Sequence, residues 1–277
     1  MESCGVESVL EVVSSRSVDV PVRLVVFDFD GTLSLVRAGW LPIMLEMMLK
    51  HLAPTFTPQE QREHLIPQLR TEILSLNGQP TILQMERLAN SILTRGGTPE
   101  HPRYYFDEFA RDLRQTIDNR LEKLSRGEKT IADLALPGAH QFLEALANRN
   151  VTLVLASGTY RPDVVHELGQ LGLSHFFEDQ VYAPDDGPVV FSKQAVMAEW
   201  LAKTNCSPQE MVAFGDGVTE IRACRQLGGY PIGIVGEELN PWVIDHEKSA
   251  QLKPAGVQLL TPNYLSQTEL LKTLGLL

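Results

Sequence analysis

VVFDFDGTL, residues 25–33, is the stretch on which the fold turns. An apolar run climbs to Phe27, two aspartates stand either side of Phe29, and Gly31 ends the run. Strand interiors avoid Asp and Gly, so Leu24–Asp28 reads as a buried strand whose mouth carries two carboxylates. Residues i and i+2 of an extended chain point to the same side. Asp28 and Asp30 therefore repel, and a hard cation is the simplest relief. Gly31 lets the chain turn away where a larger residue would be strained. Taken alone, the same letters also describe a strand ending in an ordinary Asp-Gly turn.

Further short apolar runs follow at Val151–Ala156, Gln180–Ala183, Met211–Gly215, Pro231–Val235 and Gly256–Leu260. Helical patterns separate them at Ala139–Asn148, Pro162–Leu171, Lys193–Lys203 and Val218–Leu227. Continuous apolar strands alternating with helices predict a parallel sheet covered on both faces, an α/β, Rossmann-like, doubly wound core. Ligands of such sheets gather at the carboxyl ends of the strands.

The alternation breaks between about Leu35 and Leu134, where no strand is evident. Leu41, Met44, Leu45, Met48, Leu49 and Leu52 fall on one face of a 3.6-residue period. TPQEQ from Thr57 has the form of a helix start, with Pro58 at the first helical position and Glu60 three residues after the cap. Phe106, Phe109, Ala110, Leu113, Ile117, Leu121 and Leu124 make a second stripe. These residues predict an inserted all-α domain over 36–135, with 1–35 and 136–277 forming the α/β core. The junctions near Ser34–Val36 and Leu134–Gly138 are its expected hinges, and a lid that closes would exclude water.

Composition narrows the class. A charged fraction of 21% and a hydrophobic fraction of 43% are those of an ordinary globular protein. The net charge of −11, without a Lys/Arg-rich block, argues against nucleic acid and anionic membrane as partners. No apolar run approaches the ~20 residues needed to span a bilayer. The N-terminal segment lacks a basic region of the secretory kind. Cys4, Cys206 and Cys224 are odd in number and lack CxxC spacing, which predicts reduced thiols and a cytoplasmic location.

Three more segments carry chemistry. VLASGT, residues 154–159, runs a strand into Ser157 and Gly158, where a hydroxyl and neighbouring N–H groups suit a phosphate oxygen, aided by the helix that follows. FSKQAV places Lys193 at a helix start, where the dipole disfavours a cation unless an anion compensates. In MVAFGDGVTE, residues 211–220, Asp216 ends a strand and supplies the further carboxylate that a Mg²⁺ site needs, with Glu220 four residues on. The histidines show no zinc-site spacing.

In this order, around a helical insertion, the four segments resemble the haloacid dehalogenase (HAD) superfamily, and within it the Mg²⁺-dependent phosphatases with a helical cap, such as phosphoglycolate phosphatases. The resemblance runs from about Val22 to the C-terminus. It implies that Asp28 is the nucleophile, forming an aspartyl-phosphate, and that Asp30 is the general acid and base. It implies that Asp28, Asp216 and the main-chain carbonyl of Asp30 hold Mg²⁺, and that Ser157, Gly158 and Lys193 hold the phosphoryl group. Glu220, where the family often has Asp, would orient a metal-bound water or Lys193. Arg37 and Arg161 are candidates for substrate selection. Dehalogenases of the superfamily lack an Asp at the position of Asp30, which favours phosphoryl transfer over carbon–halogen cleavage.

The expected activity is thus hydrolysis of a phosphoric monoester, a small phosphorylated metabolite, by a monomer or homodimer. A phosphomutase of the β-phosphoglucomutase kind shares every motif, and a non-catalytic HAD-like binding protein is a further alternative. A signalling receiver also uses Asp pairs, Mg²⁺, a hydroxyl and a Lys. It lacks the hundred-residue insertion, however, and carries its phosphorylated Asp on a later strand.

Overall fold

The computed structural model describes residues 10–15, 20–57, 62–76, 80–185 and 191–277. The chain divides into two compact units, one of residues 1–36 with 127–277 and the other of residues 37–126.

Among the described residues, the first unit is built on a seven-stranded sheet. In chain order its strands are β1 (Glu11–Val12), β2 (Leu24–Phe27), β3 (Thr152–Ala156), β4 (Val181–Tyr182), β5 (Met211–Gly215), β6 (Tyr230–Ile234) and, after a hairpin, β9 (Leu259–Thr261). The hairpin pairs β7 (Gly236–Glu237) with β8 (Asn240–Ile244). Spatial order across the sheet is β1-β9-β6-β5-β2-β3-β4, parallel throughout except for the edge strand β1. The central strand β2 is buried along its whole length, as its unbroken apolar sequence requires. Phe27 stands opposite Leu155 of β3 and Phe214 of β5, so these three strands end nearly level.

Helices cover both faces. α5 (Ala139–Ala147), α6 (Arg161–Gln170), α7 (Ser174–Phe177), α8 (Lys193–Thr204), α9 (Val218–Gln226), α10 (His246–Ala255) and α11 (Gln267–Thr273) belong to this unit, and α1–α4 to the other. Leu24 and Val26 point to one face and pack with Val196 and Met197 of α8 and Ala223 and Cys224 of α9. Phe27 points to the opposite face, where its ring stacks on Phe214 at 5.1 Å. Phe142 of α5 and Tyr264, themselves stacked at 5.1 Å, complete that aromatic cluster. Fully burying one such ring stabilises the fold by about 1.5–3 kcal/mol.

The second unit holds α1 (Trp40–Leu52), α2 (Arg62–Ser75), α3 (Ile82–Thr94) and α4 (Pro102–Ser125). Leu41, Met44, Met48, Leu49 and Leu52 of the expected stripe are buried and meet Leu69, Met85, Leu88 and Phe109 in one core. α4 begins where expected physics puts it, with Pro102 in the first turn and the His101 ring accepting from the Arg103 N–H. The helix start read at Thr57, Pro58 and Glu60 lies partly outside the described residues.

Some boundaries differ from expectation. Residues 127–135, assigned from sequence to the insertion, group with the sheet. The Leu35 N–H donates to Leu134 O at 2.8 Å and the Leu136 N–H to Leu33 O at 3.0 Å, while Ser34 and Ala135 form an antiparallel bridge. The two segments expected to be hinges are hydrogen-bonded to each other. The last strand begins at Leu259, not Gly256, because Gly256 (φ +96°) ends α10 in the left-handed region.

Candidate active site

Three neighbouring strands and the first turns of α8 and α9 deliver the candidate residues. The Asp28 N–H still donates to Phe214 O at 2.9 Å, so this aspartate is held by the sheet although it lies past β2. The chain then turns tightly. The N–H groups of Leu33 and Ser34 donate to Phe29 O, and Gly31 adopts φ +68°. A Cβ at Gly31 would collide with the Asp216 carboxylate, so the turn needs glycine for its backbone and for the close approach of β5's terminal loop.

Asp28, Lys193 and Glu220 form a buried chain. Lys193 Nζ lies 2.7 Å from Asp28 Oδ1 and 3.0 Å from Glu220 Oε2. Lys193 opens α8, where Ser192 caps the helix by accepting from the Ala195 N–H. Glu220 sits in the first turn of α9, and its Oε1 accepts from the Gly217 N–H at 2.6 Å. A Cβ at Gly215 would collide with the Glu220 side chain, so this glycine too is required by packing. Of the two roles expected for Glu220, the geometry displays its contact with Lys193.

Asp216 Oδ2 accepts from Lys248 Nζ at 2.9 Å. Asp30 Oδ2 accepts from the Thr159 hydroxyl at 2.6 Å. Ser157, buried at the end of β3, accepts through Oγ from the Thr159 N–H at 3.1 Å, while Gly158 is exposed with open space beside it. The candidate residues thus fall into three contact groups, Asp28–Lys193–Glu220, Asp30–Thr159–Ser157 and Asp216–Lys248, at the ends of β2, β3 and β5.

Electrostatics follow from burial. Removal from water pushes the Asp28 carboxyl well above the usual range, against the pull of Lys193, and the charges of Glu220 and Asp216 push it further. Burial alone would lower Lys193 and Lys248, but the carboxylates beside them outweigh it and both ammoniums are raised. The Tyr264 phenol is raised well above its ordinary value by burial and then by Asp28 and Asp216.

Asp28, Asp216 and Glu220 each offer an oxygen within 4.8 Å of the others, and all three are buried. Clustered carboxylate oxygens are the donor set of a hard divalent cation, so these residues fit one. Asp30 Oδ2 is engaged by Thr159; that the Asp30 main-chain carbonyl faces a metal is what the family resemblance implies.

Arg161 is not drawn into this cluster. Its Nε donates to Val181 O at 3.3 Å and its guanidinium lies 3.9 Å from Asp185. Arg37 belongs to the helical unit, where its carbonyl accepts from the Trp40 N–H. Two residues escaped the sequence reading. Thr159 is the last residue of the SGT signal itself and was legible in principle. Lys248 lies in HEKSAQLK, which reads as a solvated helix face and gives no sign of a buried contact.

A family model described as haloacid dehalogenase-like hydrolase matches residues 22–228. Comparison with curated proteins finds no match. Among solved structures, a predicted phosphoglycolate phosphatase from Haemophilus somnus 129pt aligns with TM-score 0.58 and 16% identity, covering 90% of this chain and 97% of that one. An HAD family hydrolase from Deinococcus radiodurans R1, solved with bound phosphate and sodium, gives TM-score 0.57 at 18% identity over 94% and 99% of the two chains. A β-phosphoglucomutase from Clostridium difficile gives 0.57 at 16% identity over 91% and 97%. At these identities the structural likeness establishes the fold.

Proposed function

The chain belongs to the haloacid dehalogenase-like hydrolases, and from that premise we propose that it is a Mg²⁺-dependent phosphatase of a small phosphorylated metabolite. The observation that carries this reading is the placement of Asp28, with Lys193 Nζ 2.7 Å from its Oδ1 and Asp30 two residues on.

In this reading an Asp28 oxygen attacks phosphorus, the bond to the leaving alkoxide breaks, and Asp30 gives that oxygen its proton. An aspartyl-phosphate on Asp28 results. Water then attacks phosphorus, Asp30 takes a proton from it, and phosphate leaves as the Asp28 carboxylate is restored. Lys193 offsets the charge on Asp28 and, with Ser157 and the Gly158 N–H, steadies the phosphoryl oxygens. Thr159 fixes the Asp30 carboxyl. Glu220 keeps Lys193 in place through the 3.0 Å contact. Asp28, Asp216 and the Asp30 carbonyl would hold Mg²⁺, which when bound withdraws charge from the phosphoryl group. Choice among substrates is assigned to the helical unit.

The test is phosphate release from a panel of phosphorylated metabolites, with Mg²⁺ and with EDTA, using Asp28→Asn as control. Mg²⁺-dependent release confined to a few compounds supports the reading. Interconversion of sugar phosphates without phosphate release would replace hydrolysis by a mutase reaction.

A further inference from the structure

Lys193 has a counterpart. Asp245, whose N–H donates to Val235 O at 2.7 Å, caps α10 by accepting from the Glu247 and Lys248 N–H groups at 3.0 Å each. Lys248 thereby falls in the first turn of α10, where the helix dipole disfavours an ammonium. Its side chain is nevertheless only 13% exposed, with Nζ 2.9 Å from Asp216 Oδ2. Glu238 and Asp245 act on it at longer range. Lys248 also lies beyond residue 228, where the family match ends.

We infer that Lys248 is a positioning residue that sets the charge of this site, lowering its affinity for a divalent cation and raising the affinity of the cation-loaded site for phosphate. The inference rests on the metal site proposed above. Formally, Asp28, Asp216 and Glu220 carry three negative charges, and Lys193 and Lys248 return two. One divalent ion then leaves the cluster positive by one, where without Lys248 it would be neutral. An ammonium on the same carboxylate as the ion repels it across a few ångströms. In a partly buried setting, charges at that spacing change binding by about tenfold or more. The same positive charge attracts a phosphate dianion. A purely structural tie between α10 and Asp216 would not move the two affinities in opposite directions.

The experiment titrates the full-length protein with Mn²⁺ alone, and with inorganic phosphate at saturating Mg²⁺, both by calorimetry. Lys248→Met is expected to bind Mn²⁺ about tenfold or more tightly than the parent and phosphate about tenfold more weakly. Lys248→Arg should stay near the parent in both. Lys248→Gln, which keeps a hydrogen-bond donor without the charge, should follow Lys248→Met and serves if that variant does not fold. Unchanged or weaker Mn²⁺ binding in folded Met or Gln variants overturns the inference. Asp216→Asn is the separate control. If it binds Mn²⁺ as the parent does, or the parent binds none, the metal-site reading itself fails and this inference with it.

Discussion

The Lys193 ammonium lies 2.7 Å from Asp28 Oδ1, and the two side chains are only 7% and 11% exposed. A buried pair of this kind is destabilised far more by loss of one partner than its own formation contributes. Lys193→Met would leave Asp28 and Glu220 facing each other without a cation. We expect a loss of about 3–5 kcal/mol in urea denaturation, together with loss of turnover.

Asp28→Asn removes the carboxylate that burial disfavours. Lys193 keeps Glu220 as a carboxylate partner at 3.0 Å, so the variant should fold with a smaller loss of stability than Lys193→Met, while phosphate release falls by roughly a thousandfold or more, as expected for loss of a nucleophile. Turnover at the parent rate would refute the covalent route.

Thr159→Val removes the hydroxyl that donates to Asp30 Oδ2. If Asp30 is the proton donor, both Thr159→Val and Asp30→Asn should slow alkyl phosphates much more than an activated aryl phosphate, whose leaving group needs no proton. Equal slowing of both substrate types would assign these residues to binding alone.

Gly31→Ala places a methyl group against Asp216 in a left-handed backbone. The conformation alone costs about 1–2 kcal/mol, and the displaced carboxylate should weaken Mn²⁺ binding as well. Gly127→Ala, also left-handed (φ +73°) but with open space around it, should show the conformational cost without the binding defect.

In the helical unit, Glu108 of α4 accepts from Lys50 Nζ and contacts His51 Nε2, each at 2.8 Å. Burial would raise this carboxyl, but the hydrogen bonds from Lys50 and His51 outweigh it and hold it below its ordinary value. Because the folded form binds its proton less readily, Glu108 stabilises the fold above the unfolded carboxyl pKa of about 4.3. That contribution disappears as pH falls through the lower folded value. Lys50 is 66% exposed, so water screens the pair and the effect is about 1 kcal/mol or less. Urea midpoints of the parent and Glu108→Gln should differ at pH 6 and converge toward pH 3.

Legibility in the sequence followed the range of the interaction. β2, β3, β5 and β6 announced themselves as apolar runs because a parallel strand covered on both faces has no polar side. Asp28, Ser157 and Asp216 were legible because each directly follows such a run. β1 was not, since two residues paired to Leu259 and Leu260 leave no periodicity to detect. β4 shrank to Val181–Tyr182, the only residues there that pair with β3. Lys248 reaches Asp216 across 32 residues because the hairpin and the Asp245 cap place α10 against the β5 loop, a matter of topology that local composition does not record.

The paired segments around Ser34 and Ala135 have a consequence for how the molecule can change over evolutionary time. The bridge between them, with the Leu35–Leu134 and Leu136–Leu33 hydrogen bonds, fixes the two points where the chain leaves and rejoins the sheet unit. The intervening segment is then a loop whose closure is already secured, and each doubling of such a loop adds only about 0.6 kcal/mol of closure entropy. Helices can be lengthened, exchanged or lost within it while Asp28 and Asp216 keep their register. The sheet unit is in effect a socket, whose register does not depend on the length of the segment plugged into it.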